Sequence, residues 1–319
     1  MPYDNPPISW SEMERRIRGK APETEGHGTD RMRGGPEDAP IGRRRAPFSG
    51  RATPPEGPVV PYAELHCHSY YSFLDGASSP EDLVRRAVEL GLSGLALTDH
   101  DGVYGVVRMA EAAEACGLAT SIGSELSIGL PAPQNGVADP VGSHLLVLAR
   151  GTEGYRRLSG AMTEAYLDED AEKGRPVYDL DRLADQADGH WIILSGCRKG
   201  AVRQGLARGG PDLAGRELDR LVRLFGHRNV VVELTDHRRP CDSHDNDALA
   251  ALAASRELPV VATNDVRFIS SEDFDAHEIR VAIHDGYTLA DPKRPKLYSP
   301  QQYLRSEDEM CELFADIPE

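Results

Sequence analysis

The stretch Tyr62-Ala-Glu-Leu-His-Cys-His68 decides both the fold and where its chemistry lies. Read as a strand it alternates, putting Ala63, Leu65 and Cys67 on one face and Glu64, His66 and His68 on the other. Two imidazoles at i and i+2 closing an apolar strand can hold one metal ion. The same texture of short apolar runs recurs downstream. We read strands at Tyr62–His66, Gly94–Thr98, Ala119–Ile128, His144–Ala149, Trp191–Ser195, Val230–Leu234 and Pro259–Thr263. Helical patterns separate them at Pro80–Leu90, Tyr104–Cys116, Glu153–Tyr166, Leu180–Ala187, Asp212–Phe225 and Asn246–Glu257. Ser79-Pro80-Glu81-Asp82 supplies a cap, a proline in the first turn and acids at the positive end of the helix dipole. This β–α alternation predicts a parallel sheet with helices outside. Count and length suit an α/β fold closed as a TIM-like (β/α)7 barrel rather than an open, doubly wound one. Neither common glycine-rich phosphate loop occurs, which disfavours a nucleotide-binding doubly wound fold.

Metal-capable residues then recur at or beside strand ends. The second strand runs into Asp99-His100-Asp101, the third carries Glu125, the fourth opens with His144, the fifth leads to Cys197, and the seventh ends Thr263-Asn-Asp265. In β/α barrels the active site is assembled at the C-terminal ends of the strands. Mixed imidazole and carboxylate donors suit divalent zinc, manganese or iron, and a bridging carboxylate would allow several ions. Such a centre activates water and grips phosphate oxygens, so phosphoester hydrolysis is the predicted chemistry. A cysteine nucleophile is disfavoured, because no histidine near Cys197 is evident as its base. His237 and His244 read as solvated loop residues, and His190, His277 and His284 as structural ones. Glu233 is a candidate support behind the ligands, and Trp191 is a core residue.

Composition divides the chain. It has 319 residues, 36 basic and 52 acidic, for a net charge of −16. Residues 1–60 hold ten Lys/Arg against nine Asp/Glu, so the remainder carries −17. A body so acidic is a poor stand-alone grip on nucleic acid, which binds largely through neutralised phosphates. The first sixty residues also hold ten of the 23 prolines. We expect a short helix over Ile8–Ile17, capped at Ser9 or Ser11, and a disordered linker over Lys20–Pro58. Five widely spaced cysteines without a C-x-x-C pair point to a reducing compartment, and neither a signal peptide nor an eighteen-residue apolar run is visible. The expected location is cytoplasmic, with no membrane partner.

His66-Cys-His68, Thr98-Asp-His100, Gly123-Ser-Glu125, His144-Leu-Leu-Val-Leu148 and Thr263-Asn-Asp265 together resemble the PHP (polymerase and histidinol phosphatase) superfamily. The resemblance implies a distorted seven-stranded β/α barrel with two or three divalent ions, zinc, manganese or magnesium. Ser72-Phe-Leu-Asp-Gly76, Asp99-His-Asp-Gly-Val-Tyr-Gly105 and Tyr298-Ser-Pro-Gln-Gln-Tyr303 resemble the N-terminal domain of bacterial C-family DNA polymerases. Trp10-Ser-Glu-Met-Glu14 and Gly196-Cys-Arg-Lys-Gly200 resemble their error-prone branch. By resemblance the ligand positions are His66, His68, Asp75, Asp99, His100, Glu125, His144, Cys197 and Asp265, with His66, His68, Glu125 and Asp265 as catalytic residues. One position departs: Arg267 stands where the pattern has histidine, and a guanidinium has no lone pair to give a metal. Fewer ions than in a full member are therefore expected, with Arg267 pairing with Asp265 or a phosphate oxygen. The resemblance also implies an arm over 1–60, a barrel over 61–290 and, over 291–319, the start of a connection to a polymerase region not in this sequence. DNA and other replication or repair proteins would be met through that region. A stand-alone phosphatase and a non-catalytic module remain the alternatives.

Overall fold

The computed structural model describes residues 60–317 apart from 135, 138 and 295, together with 48, 50 and 52–55. The expected N-terminal helix lies outside the described residues, as does all of the expected linker but 48, 50 and 52–55. Seven strands appear in chain order: β1 (Ala63–Glu64), β2 (Gly94–Leu97), β3 (Ala119–Ile128), β4 (Ser143–Ala149), β5 (Trp191–Leu194), β6 (Val230–Leu234) and β7 (Val260–Ala262). They form one sheet in that same order. The sheet curls until its ends meet. Just past β1 and β7, the His68 N–H donates to Val266 O and the Val266 N–H to His66 O, each at 2.8 Å. The distorted α/β barrel read from the sequence is what the chain adopts.

The expectation of an all-parallel sheet is corrected at β4, which runs antiparallel to both β3 and β5. The cause is visible in the connection. The described residues of 129–142 carry no helix, and parallel neighbours need a crossover that such a loop does not provide. Reversal carries the start of β4 to the rim where the other strands end, which is why His144 opens its strand while the other candidates close theirs.

Both faces of the strands are buried. On one side Leu126, Leu145, Val147 and Ile193 pack against helix residues such as Leu158, Met162 and Leu183. On the other, Ala96, Leu146, Leu148 and Leu194 fill the barrel interior. Glu125 is paired with Leu146 across the β3–β4 ladder, so it shares the interior face. The inner stripe of β4 thus changes from His144 at the rim to Leu146 and Leu148 below, and polar chemistry is confined to one end of the barrel.

The outer helices are α1 (Pro80–Glu89), α2 (Val106–Cys116), α3 (Gly151–Tyr166), α4 (Leu180–Ala187), α5 (Ala201–Phe225), α6 (Asp242–Ala254), α7 (Asp273–Asp285) and α8 (Glu307–Leu313). The Ser79 hydroxyl caps α1 by accepting from the Asp82 N–H at 3.1 Å. Helix α5 begins eleven residues before the expected Asp212 and is broken where Gly210 takes φ +66 ahead of Pro211. The segment after α7 returns to the barrel: the Arg267 N–H donates to Gln302 O at 2.8 Å and the Leu304 N–H to Phe268 O at 3.0 Å. No helix among the described residues is long and apolar enough to cross a membrane.

Candidate metal centre

Glu125, fully buried on β3, is the hub. Its Oε2 lies 3.0 Å from His144 Nδ1, 3.3 Å from His68 Nε2 and 3.4 Å from His100 Nδ1. Its Oε1 lies 3.5 Å from His66 Nε2 and 3.7 Å from Cys197 Sγ. Cys197 reaches this point through the turn Gly196–Gly200. Gly196 has φ +88, and a Cβ on it would stand 2.8 Å from Gly200 Cα, so the tight turn requires glycine. Three donor triads result, each compact enough for one ion: His66–His68–Asp265, His68–His100–Glu125 and Glu125–His144–Cys197. His68 is common to the first two and Glu125 to the last two.

The ligand positions have supports behind them. His66 Nδ1 lies 2.7 Å from Glu233 Oε1. An N–H donated there leaves the Nε2 lone pair facing Glu125, His68 and Asp265. Glu64, on the same strand face as the histidines, is spent on the backbone: it accepts from the His66 and Asn264 N–H groups at 2.8 and 2.9 Å. Asp99 is brought beside the centre but not into a triad. Its oxygens accept from the Ser69 N–H, the Ser69 hydroxyl and the Ser72 hydroxyl, all at 2.7 Å. The Ser72 hydroxyl also lies 2.9 Å from His68 Nδ1, so Asp99 orients His68 through Ser72. Ser69 and Ser72 carry no sequence signal of this role. They are found only once the loop after β1 folds against Asp99.

The opposite flank is organised by Arg267. Its guanidinium pairs with Asp265 Oδ1 at 2.6 Å and with Asp75. Asp75 in turn lies 2.8 Å from His100 Nε2 and is thereby outside the triads. Asp265 adopts φ +45, a left-handed backbone uncommon outside glycine and costing about 1–3 kcal/mol. The predicted pairing of Arg267 with Asp265 is present. His237, expected in solvent, is buried, with its Nε2 2.9 Å from Asn264 O. His277 and Trp191 are buried, as expected.

The electrostatics suit a divalent cation. Burial opposes ionisation of Glu125, but the His144 and His66 imidazoles hold it well below the usual carboxylate range. Burial likewise opposes the charged form of His66, yet Glu233, Asp265 and Glu125 raise it well above an ordinary imidazole. Burial, then the charges of Arg267 and His100, depress His68. Burial and Glu125 push the Cys197 thiol up. Meanwhile Glu125 Oε2, His100 Nδ1 and both ring nitrogens of His144 are buried without an aligned hydrogen bond. Native interiors rarely leave so many polar atoms unpaired in one place. Imidazole, carboxylate and thiolate are together a donor set for a divalent first-row ion.

Comparison with known proteins agrees with this geometry. The PHP domain profile matches residues 64–237. The chain is 61% identical over 317 residues to an error-prone DNA polymerase of Cutibacterium acnes, covering 99% of this chain and 27% of that protein. It is 48% identical to the error-prone DNA polymerase of Mycolicibacterium paratuberculosis, covering 100% of this chain and 29% of that protein. To the DNA polymerase III subunit alpha of Escherichia coli K12 it is 44% identical over 261 residues, which are 81% of this chain and 22% of that one. The chain thus spans under a third of the length of these relatives. Among solved structures, an amidohydrolase from Chromobacterium violaceum superposes with a TM-score of 0.46 at 17% identity, over 64% of this chain and 87% of that chain. At that score the likeness bears on neither function nor detail. With the profile spanning more than half of its residues, and with the profile's region holding every triad member except Asp265, the chain belongs to the PHP domain family.

Proposed function

We propose that this chain is the PHP-domain front of an error-prone DNA polymerase, and that its strand-end cluster holds divalent ions serving phosphoester hydrolysis. The observation that carries the metal reading is the set of three triads sharing His68 and Glu125, with buried donor atoms left unpaired among them. The polymerase reading rests on identity that runs along 99% of this chain. When bound, the ions would supply Lewis acidity and water at a lowered pKa. Glu125 would belong to two ion sites, one held with His68 and His100 and the other with His144 and Cys197. Glu233 fixes the His66 tautomer, Asp99 steadies His68, and Asp75 steadies His100. Thiolate beside imidazole favours zinc at the Cys197 side, while the two imidazoles and one carboxylate of the His100 side suit zinc or manganese better than magnesium.

At the first triad Arg267 competes for Asp265, so we assign about two ions to the chain rather than three. Residues 1–60 serve as an arm, 61–290 as the barrel and 291–319 as the connection toward the polymerase region of the longer relatives. That region supplies the grip on DNA and meets other replication or repair proteins, in the cytoplasm. The test is turnover by the purified chain, loaded with manganese or zinc, on single-stranded DNA and on phosphate monoesters, beside His68→Ala. Metal-dependent cleavage lost in the variant supports the reading. No turnover on either substrate would leave the centre a stabiliser of the fold.

A further inference from the structure

Beside the centre a cavity of about 600 Å³ opens, within the size range of small-molecule sites. It shares Ser72 and His100 with the centre, and its mixed wall sets the rings of Tyr71, Phe73, Tyr104 and Tyr166 beside polar residues such as Asp101 and Lys173. Phe73 and Tyr104 are 65% and 59% exposed. Their positions are built in. A Cβ on Gly102 would fall 2.2 Å from the Tyr104 ring, so that ring lies against glycine backbone, and one on Gly136 would fall 3.3 Å from Phe73 Cβ. On the wall, Ser127 is buried beside the Asp101 carboxylate, which accepts its backbone N–H at 2.9 Å, and its hydroxyl oxygen keeps lone pairs to accept with.

We propose that this cavity seats the base of a nucleotide whose phosphate is presented to the metal centre, with Phe73 and Tyr104 as stacking faces and Ser127 meeting the edge of the base. This rests on the phosphoester reading above. Aromatic faces take any base, because every base has a π-face, whereas a sugar phosphate alone would leave both rings in water. The acidic body offers little to a phosphate backbone, so base stacking and the ions together would supply the hold on a strand end or a free nucleotide.

The test is binding of thymidine to the metal-free chain, read by ligand-observed NMR, beside ribose, Phe73→Ala/Tyr104→Ala and the conservative Phe73→Tyr/Tyr104→Phe. The proposal expects thymidine to bind at least tenfold more tightly than ribose, the alanine pair to erase most of that preference, and the conservative pair to keep it. Equal binding of thymidine and ribose, or an unchanged preference in the alanine pair with its circular dichroism intact, would overturn it. Thymidine binding without any cleavage by the metal-loaded chain would sink the phosphoester reading and leave the cavity assignment standing. A short single-stranded oligonucleotide that outcompetes thymidine monophosphate on the manganese-loaded chain would identify a strand end as the source of the base. Equal competition would identify a free nucleotide.

Discussion

Two buried polar clusters lie at the same end of this barrel and differ in one respect. Around Arg203, on α5, every charge is answered. Nη2 donates to Asp242 Oδ1 at 2.9 Å, Nη1 donates to the Thr235 hydroxyl at 3.0 Å, and Asp242 Oδ2 accepts from the His237 and Arg239 N–H groups at 2.9 and 3.1 Å. Asn246 completes it by donating to Thr235 O at 3.2 Å. Around Glu125 the carboxylates and imidazoles are as deeply buried, but several of their atoms have no aligned partner. The first cluster carries its cation as a side chain. The second is arranged for a cation the chain does not itself provide. Satisfied burial reads as structure, and unsatisfied burial of metal-ligating types reads as a site.

The sharpest way to break that contrast is to remove one carboxylate from each cluster. Asp242→Ala leaves buried Arg203 only the longer Asp245 contact at 3.5 Å and should cost about 3 kcal/mol of stability, equally with and without metal, in urea unfolding. Next in size is metal itself. Zinc or manganese at a hundredfold excess over its dissociation constant should stabilise the native chain by about 2.7 kcal/mol, and Glu125→Gln should abolish the gain. If Glu125→Gln kept the gain, the hub assignment would fail. Smaller again is the pH effect. The raised pKa of His66 means that the metal-free imidazole holds a proton below that value, and a cation must displace it. Apparent affinity should therefore weaken as pH falls, by roughly tenfold per unit for each proton released, with release visible as buffer-dependent binding heats. The smallest change is expected from Glu233→Gln, which keeps a hydrogen-bond acceptor behind His66. It should weaken metal binding by less than about tenfold, without unfolding the chain, in a competition titration against a chromogenic chelator.

Much of this contrast was legible in the sequence, and the remainder has physical reasons for escaping it. All seven strands were readable because strands buried on both faces appear as short apolar runs. The reversal of β4 was not drawn from the pattern, although the helix-free loop 129–142 was its signal. That reversal is also what reconciles His144 with the other ligand positions. Asp99 was read as a ligand because it sits beside His100 in sequence. Its engagement by Ser69 and Ser72 depends on contacts about thirty residues apart, which spacing does not encode. His237 seemed a solvated residue of a polar loop, yet it is buried by the Arg203 cluster that orders that loop. The first half of α5 was missed because Gly205, Gly209, Gly210 and Pro211 look like a breaker, and only the last three break it.

The flank of the centre held by Arg267 is where the account stands or falls. Its guanidinium is bonded to the same Asp265 oxygen that the first triad would offer an ion. Elemental analysis of the purified, metal-loaded chain, beside Arg267→His, tests this directly. The account predicts about two ions per chain for the protein as it is and about three once an imidazole replaces the guanidinium. Three ions per chain with Arg267 in place would contradict it.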